Sequence, residues 1–426
     1  LTPAIKKDIL NQNKRLSADA LRVLGFAYKE TKRQPKGAAE IESKLVFVGL
    51  QGMMDPPRRE IKEVIAAVTG GAGMRVIMIT GDYVETAKAV AAEIGIRGES
   101  ISGVELDGLS QAEFEQRVER IAIYARVNPE HKIRIVQALK KHGHQVAMTG
   151  DGVNDAPAIK AADIGIAMGV TGTDVAKEAS AVILLDDQFL TIVQAVEEGR
   201  GIFDNVRKFV NYLLSANIAE VMTVLVGLLL FNELVLSAAQ LLFINIVTDG
   251  LPAIALGSDP AAKGIMRFKP SRFQGTIITK KLWIEMTIFA ALMSAAILTQ
   301  FALNLQNGGI SVAVSGAFAA MVALEMVRLA GIRSDYAVGW RSNPWLIVAM
   351  ISSLLLLLAV MYVPLLSRVF GLQPISGLNW LFIAWAGASL LVLMKLVRWG
   401  LDRLLPEKEP AQKAPKPQSP NPAVAG

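Results

Sequence analysis

Two hydrophobic patterns divide the chain. Up to about residue 190, short apolar runs alternate with amphipathic stretches. Beyond about residue 206, long apolar runs follow one another with brief polar breaks. In the first part, "KLVFVGL" (44–50) predicts a buried strand and "REIKEVIAAV" (59–68) a helix. "MRVIMIT" (74–80), "IAIYAR" (121–126) and "QVAMTG" (145–150) predict further strands. Helices are predicted over "YVETAKAVAAEIG" (83–95) and "NPEHKIRIVQALKKHG" (128–143), and short strands over "DIGIAM" (163–168) and "AVILLD" (181–186). Such alternation predicts an α/β domain with a Rossmann-like parallel sheet, helices on both faces, and ligands at the carboxyl ends of the strands. Ahead of it, residues 1–45 predict a charged helical segment that closes in a polar linker, 31–44, with Pro35 and Gly37.

The long apolar runs are 209–231, 234–257, 282–304, 311–330, 344–366 and 378–398. Each has about 20 residues, enough to cross a hydrocarbon core, so an α-helical bundle of six transmembrane helices is predicted. The segment 258–281 holds Lys263, Arg267, Lys269, Arg272, Lys280 and Lys281, and 328–341 holds Arg328, Arg333 and Arg341. The turns near 232, 307 and 370 carry almost no basic charge. Basic loops stay in the cytoplasm, which predicts a multi-pass protein of the plasma membrane, surrounded by the lipid bilayer, with its α/β domain and C-terminus cytoplasmic. The tail 406–426, rich in proline, lysine and alanine, predicts disorder.

Composition supports this division. A chain with 52% hydrophobic and 19% charged residues reads as a soluble domain joined to a membrane domain. The absence of cysteine excludes disulfides and thiolate metal sites, and three histidines, His131, His142 and His144, argue against a histidine metal cluster. The net charge of +6 reads as basic cytoplasmic loops, so no nucleic-acid partner is expected. The chain opens on Leu1 with no signal peptide before its first domain, and is expected to be the C-terminal part of something longer.

The candidate chemistry of the first domain lies in three turns. In "MTGDGVNDAP" (148–157), Asp151 follows a predicted strand, and Gly150 and Gly152 permit close approach by a ligand. Mg²⁺ takes oxygen ligands, usually one or two carboxylates together with phosphate oxygens. Asp151 suits that role, with Asn154 and Asp155 orienting neighbouring groups. "VIMITGD" places Thr80, Gly81 and Asp82 at the end of another strand, where a hydroxyl and backbone N–H groups can hold a phosphoryl oxygen. Lys132, in "ARVNPEHKIRIV", stands near a helix start and can offer a point charge to the same phosphate. Taken singly, Thr80 also fits a helix cap and Lys132 a solvated surface residue.

Together and in this order the three turns resemble the haloacid-dehalogenase phosphotransferase fold. "DPPR", "MITGD", "ARVNPEHK" and "TGDGVNDAPA", followed by six spans, resemble the C-terminal half of a P-type cation ATPase over residues 1–400. "SANIAE" and "LLFINIVTDGLPAIALG" resemble the sarcoplasmic-reticulum-type calcium pumps and their bacterial relatives, within the type II group. The resemblance implies four regions: 1–45 as the end of a nucleotide-binding domain, 46–190 as a phosphorylation domain lacking its first strand and nucleophile, 191–400 as stalk and six spans, and 401–426 as a cytoplasmic tail. It implies that Thr80, Gly81, Asp82, Lys132, Asp151, Asn154 and Asp155 serve an aspartyl phosphate, with Mg²⁺ on Asp151 and ATP as substrate. Arg22 and Arg126 match or approach positions that contact the nucleotide. The family nucleophile lies in Asp-Lys-Thr-Gly, and no such string occurs here. Asp55, in "MMDPPRREI", reads as a hinge and cap. The family's actuator domain and four further spans are also missing, so an N-terminal half of the same pump is the expected partner and the chain alone is expected to be inactive.

The spans carry acids at a cost of roughly 2.5–3.5 kcal/mol each on insertion scales, which usually marks an ion path. Glu220, Asp249 and Glu325 lie well inside their apolar runs. Asn217 shares a helix face with Glu220, and Asn245, Thr248 and Asp249 cluster likewise. Gly250 and Pro252 follow directly and can break the helix and free carbonyls. All are oxygen ligands, as Ca²⁺ requires. The resemblance assigns Asn217, Glu220, Thr248, Asp249 and Glu325 to one calcium site and Asn245 and Asp249 to part of a second. An interhelical hydrogen-bond network is the structural alternative. Glu285 and Arg328 read as helix-end charges reaching for the membrane surface. A membrane-tethered phosphatase and a non-catalytic regulatory protein are the competing functions.

Overall fold

The computed structural model describes residues 2–18, 21–31, 37–53, 56–58, 60–273, 276–336 and 338–405. It divides into two compact units, Leu1–Val196 with Met266–Phe268, and Glu197–Ile265 with Lys269–Gly426. Asp55 and the tail 406–426 lie outside the described residues.

The first unit opens with α1 (Pro3–Ala18), β1 (Arg22–Tyr28), α2 (Ala38–Ile41) and β2 (Val46–Met53). β1 and β2 pair antiparallel as a separate two-stranded sheet. This corrects two expectations. Residues 1–45 are not helical throughout, because "RVLGFAY" is extended. The predicted strand at 44–50 is neither buried nor part of the parallel sheet, since it pairs with β1 and Val46 and Val48 are exposed, as are Leu24, Phe26 and Tyr28 of β1.

Then follow α3 (Ile61–Ala66, continued by a π-helical turn Ala67–Gly71), β3 (Met78–Thr80), α4 (Val84–Ile94), β4 (Glu99–Ser102), α5 (Gly103–Asp107), α6 (Gln111–Arg117), β5 (Ile121–Ala125), α7 (Pro129–Lys141), β6 (Ala147–Gly150), α8 (Ala156–Ala161), β7 (Ile164–Met168), α9 (Asp174–Ala179) and β8 (Val182–Leu184). β3, β5 and β4 form one parallel sheet in that order, and β6, β7 and β8 another. β5 is buried along its whole length, as a strand covered on both faces must be. Ala87, Ala91 and Ile94 of α4 pack with Ala122 and Ile123. Phe114 of α6 and Ile135, Ala138 and Leu139 of α7 pack with Ile121 and Tyr124. Ile79 and Val146 join this second cluster to a third, in which Val136, Met148, Ile159 and Ala167 cover the other sheet. The two sheets therefore share a core, although no ladder between β3 and β6 is seen among the described residues. The expected α/β fold is present; the strand β4 was not foreseen, because "ESIS" carries too little apolar character.

The second unit holds α10 (Phe189–Phe231, which starts in the first unit), α11 (Ala238–Phe243), a π-helical turn Ile244–Thr248, α12 (Gly250–Gly257), α13 (Lys280–Asp335), α14 (Pro344–Tyr362), α15 (Pro364–Phe370) and α16 (Gly377–Leu404). Among the described residues, five helical stretches are long and apolar enough to cross a membrane. One of them, α13, is interrupted at Gly309, whose φ of 76° is closed to most side chains. The chain reverses there: the amide nitrogen of Asn304 lies 2.2 Å from where a Cβ on Gly316 would stand, and the Arg328 guanidinium stacks 4.4 Å from the Phe289 ring. α13 is thus a hairpin of two passes, which accounts for six apolar runs on five helices.

Two of the basic residues read as loop charges are buried instead. Arg333 lies with Nη2 3.3 Å from Oδ1 of Asp259, and Lys208 donates to Oδ2 of the same carboxylate at 3.0 Å. Asn343 donates to Oδ1 at 2.8 Å. Arg328, the other, belongs to the site below.

Candidate functional site

In the first unit, Thr80, Gly81 and Asp82 stand at the carboxyl end of β3. The Thr80 hydroxyl donates to Oδ2 of Asp82 at 3.0 Å and accepts from the Asp82 N–H at 3.1 Å. It caps its own turn and does not cap α4. Nothing lies within 4 Å of a Cβ built on Gly81, so this turn is open to a ligand. Beside it, the Val127 N–H points to the Thr80 carbonyl at 3.5 Å, which leads the chain from β5 into α7.

Lys132 sits in the first turn of α7. Asn128 caps that turn, its Oδ1 accepting from the His131 N–H at 2.9 Å. His131 returns the contact: Nδ1 accepts from the Asn128 N–H at 3.2 Å, while Nε2 lies 2.6 Å from Asp107. This buried ring locks the helix start that carries Lys132. Sequence reasoning passed over it, although a histidine three residues after an Asx-Pro helix start is a legible signal.

The Lys132 ammonium forms an ion pair with Oδ1 of Asp155. Oδ2 of Asp155 accepts from the Gly152 N–H at 3.1 Å. Asp155 is buried, and its Cβ would lie 2.5 Å from a Cβ on Gly150, so Gly150 is required here for space. Asp151 and Asn154 are exposed. The Asp151 carbonyl accepts from the Thr173 N–H at 2.9 Å, while no partner of its carboxylate is seen among the described residues. Asp187 steadies the loop that brings Thr173 there: its carboxylate accepts from the N–H groups of Gly169, Val170 and Thr171 at 2.7–3.0 Å and from the Thr171 hydroxyl. Desolvation pushes the Asp187 carboxyl up, but these donors outweigh it and hold its pKa at about 2.

Contacts thus string the three turns together, Thr80 to Val127, Lys132 to Asp155, and Asp155 to the turn of Asp151. An exposed, uncommitted carboxylate at a strand end, next to a paired Lys and Asp, suits Mg²⁺. Arg126 adopts φ 49° and stacks its guanidinium 4.5 Å from the exposed Tyr83 ring. Arg22 falls in β1, and its side chain lies outside the described residues.

In the second unit, Glu220, Asp249 and Glu325 are all buried, and one oxygen from each lies within 4.8 Å of the others. The Asn245 amide donates to Oε1 and Oε2 of Glu220 at 3.0 and 2.8 Å. Tyr212 donates to Oδ1 of Asp249 at 2.7 Å. Both oxygens of Glu325 are buried with no hydrogen-bond partner among the described residues, an arrangement that favours either a cation or a proton. Tyr212 was not foreseen, yet it stands eight residues before Glu220 on one helix, which is the same face.

Backbone chemistry shapes the site. α12 starts at Gly250, and the α-helical pattern is interrupted just ahead of Gly250 and Pro252, in the π-helical turn Ile244–Thr248, where the Asp249 N–H reaches back to Ile244 at 2.9 Å. Pro252 does free a carbonyl as expected: with no N–H to offer, it leaves that of Thr248, which accepts from the Ser353 hydroxyl at 3.1 Å. The Thr248 hydroxyl itself turns back to Ile244 at 3.0 Å. Asn217 is exposed and lies outside the buried set, and Asn245 is exposed as well. The helix-end reading of Glu285 and Arg328 is overturned. Both are buried, and the Arg328 guanidinium reaches Asn211 at 2.7 Å and Glu285 at 3.6 Å.

The comparisons with known proteins agree with both halves. Residues 7–163 match the haloacid dehalogenase-like hydrolase model, and residues 233–400 match that of the cation transporting ATPase C-terminus. The chain belongs to the P-type cation-transporting ATPases. It is 42% identical over 379 residues to a calcium-transporting ATPase of Bacillus subtilis strain 168, covering 86% of this chain and 42% of that protein. It is 37% identical to calcium-transporting ATPase 1 of Bacillus cereus, over 93% of this chain and 47% of the relative. The human calcium-transporting ATPase type 2C member 1 is 36% identical, over 92% and 42%. The chain therefore spans less than half the length of these P-type ATPases.

Proposed function

We propose that the chain is the C-terminal part of an ATP-driven calcium pump of the plasma membrane, with its first unit cytoplasmic. The observation that carries this reading is the buried triad Glu220, Asp249 and Glu325. Three carboxylates so close repel one another unless a cation or protons neutralise them. The three carboxylates offer oxygen ligands, which match a hard divalent ion. The exposed Asn217 and Asn245 beside Glu220 are polar groups on an otherwise apolar bundle, and a further span contributed by the missing N-terminal half would cover them.

In the first unit, Thr80, Gly81 and Asp82 would hold a phosphoryl group, Lys132 would offset its charge, and Asp155 would keep Lys132 in place. Asp151 would hold Mg²⁺, which neutralises charge on the transferring group. Arg126 would approach the nucleotide of ATP, and Arg22 would contact it; both roles come from the family resemblance. The nucleophile would come from an Asp-Lys-Thr-Gly strand seated between β3 and β6, where the ladder is open. The present 426 residues contain no such string, so the chain by itself should release no phosphate from ATP. A phosphatase or a purely regulatory protein would have no use for the membrane triad.

Equilibrium binding of radioactive calcium to the chain in nanodiscs tests the reading. We expect saturable binding that Asp249→Asn abolishes without lowering thermal stability, since an amide is cheaper to hold in a membrane than a carboxylate. Unchanged affinity in Asp249→Asn, with a less stable bundle, would instead establish the hydrogen-bond network.

A further inference from the structure

Arg328 stands one turn beyond Glu325 on α13 and is 3% exposed. Its Nη2 donates to Oδ1 of Asn211 at 2.7 Å, and its Nε to Oγ of Ser215 at 3.4 Å. Its Nη1 lies 3.6 Å from Oε1 of Glu285, and its plane stacks 4.4 Å from the Phe289 ring. Glu285 is also paired with Arg398, which in turn is paired with Asp335. Two arginines thus meet two carboxylates, and the group is electrically balanced.

Balance alone needs only the carboxylates. What the Asn211 and Ser215 bonds add is register. Asn211 and Ser215 are one turn apart on α10, and a guanidinium presents its donors in a rigid fork that can bond both. Between them, Tyr212 reaches Asp249 at 2.7 Å. One turn of α10 is therefore keyed to the second half of α13 through Arg328 and to the Asp249 turn through Tyr212. Glu220 follows five residues later on α10, and Glu325 precedes Arg328 by three on α13, as antiparallel neighbours require. A slip of one residue along α10 moves Glu220 by about 1.5 Å, whereas calcium–oxygen distances span only about 0.3 Å.

We propose that Arg328 is a positioning residue for the cation site: its fork to Asn211 and Ser215 sets the register of α10 against α13 and so holds Glu220 against Glu325. The proposal rests on the reading that the triad holds a divalent cation. It is distinct from the positive-inside role expected of membrane-flanking arginines, because Arg328 is buried and paired.

The test is calcium binding to the chain in nanodiscs, with the number of sites and the dissociation constant measured separately, beside thermal unfolding without calcium. Wild-type chain that binds no calcium removes the cation-site reading, and this proposal with it, before any variant is considered. Given wild-type binding, Arg328→Lys keeps the charge near Glu285 but loses the fork. The double variant Arg328→Met/Glu285→Gln removes both charges and leaves Arg398 its partner Asp335. We expect each to raise the dissociation constant about tenfold, as loss of an outer-shell support does, with the double variant unfolding near the wild-type temperature. A purely structural role lowers the number of sites and leaves the dissociation constant of the remainder unchanged. Wild-type affinity in Arg328→Lys would show that charge alone acts, and wild-type affinity in the double variant would show that the cluster is only packing. Either result overturns the proposal. Should Arg328→Lys fail to fold, the double variant decides.

Discussion

The Tyr212 hydroxyl donates to Asp249 at 2.7 Å, with both side chains buried. It ties the long helix α10 to the turn that carries one acid of the triad. Replacing Tyr212 by Phe keeps the ring and removes the donor. A buried acceptor left short of a partner costs about 1–3 kcal/mol. We expect Tyr212→Phe to unfold at lower temperature in calcium-free detergent, with the deficit shrinking at saturating calcium, where an ion takes over the lone pair. Thermal unfolding with and without calcium measures this, and an equal deficit in both conditions would detach Tyr212 from the site.

Asp151 is exposed, and its carboxylate is uncommitted among the described residues. Asp151→Asn should therefore leave the first unit within about 0.5 kcal/mol of wild-type stability, while Mn²⁺ used as a spectroscopic stand-in for Mg²⁺ binds more weakly. In a complete pump the same change should cripple acid-stable labelling from ATP. Normal labelling would remove Asp151 from the metal site.

Gly150 and Gly81 should part company. A Cβ at Gly150 meets the Asp155 Cβ at 2.5 Å, whereas at Gly81 it meets nothing within 4 Å. Gly150→Ala should cost about 1–3 kcal/mol by overpacking and loosen the Lys132–Asp155 pair. Gly81→Ala should leave folding intact and act only on phosphate binding. Denaturant melts of the two variants, followed by phosphate-analogue titration, test the contrast.

Asp187 supplies the pH dependence. Its folded pKa of about 2 lies below the ordinary carboxyl value of 3.8. A depressed pKa means that its contribution to stability is complete above about pH 4 and is lost as pH falls through about 2. We expect wild type to lose the 169–173 loop over this window, and Asp187→Asn to show a shallower acid transition together with lower stability at neutral pH. Amide exchange at Val170 and Thr171 against pH reads it directly. An unchanged profile in Asp187→Asn would show that these bonds do not stabilise the loop.

Much of this protein is legible as local pattern. Strand–helix alternation shows the parallel α/β unit because a strand covered on both faces, such as β5, must be apolar throughout. Twenty-residue apolar runs show the six passes, and the acids Glu220, Asp249 and Glu325 stand out because each is costly in hydrocarbon. Proline chemistry even forecasts the freed Thr248 carbonyl, since a missing N–H is a property of one residue.

What pattern left open depends on partners far along the chain. Arg328 and Arg333 are indistinguishable in sequence from loop charges, and only the meeting of α10, α13 and the loops around them, with Glu285 and Asp259 in place, makes their burial affordable. "RVLGFAY" is as compatible with helix as with strand until β2 pairs with it. The π-helical turn before Asp249 and the exposed side of Asn217 follow from how the helices are rotated against one another. Sequence determines which groups can ligate, pair or span, because those are properties of single side chains and short periods. The tertiary structure decides which of them meet, because desolvation and distance are set by chain segments a hundred residues apart.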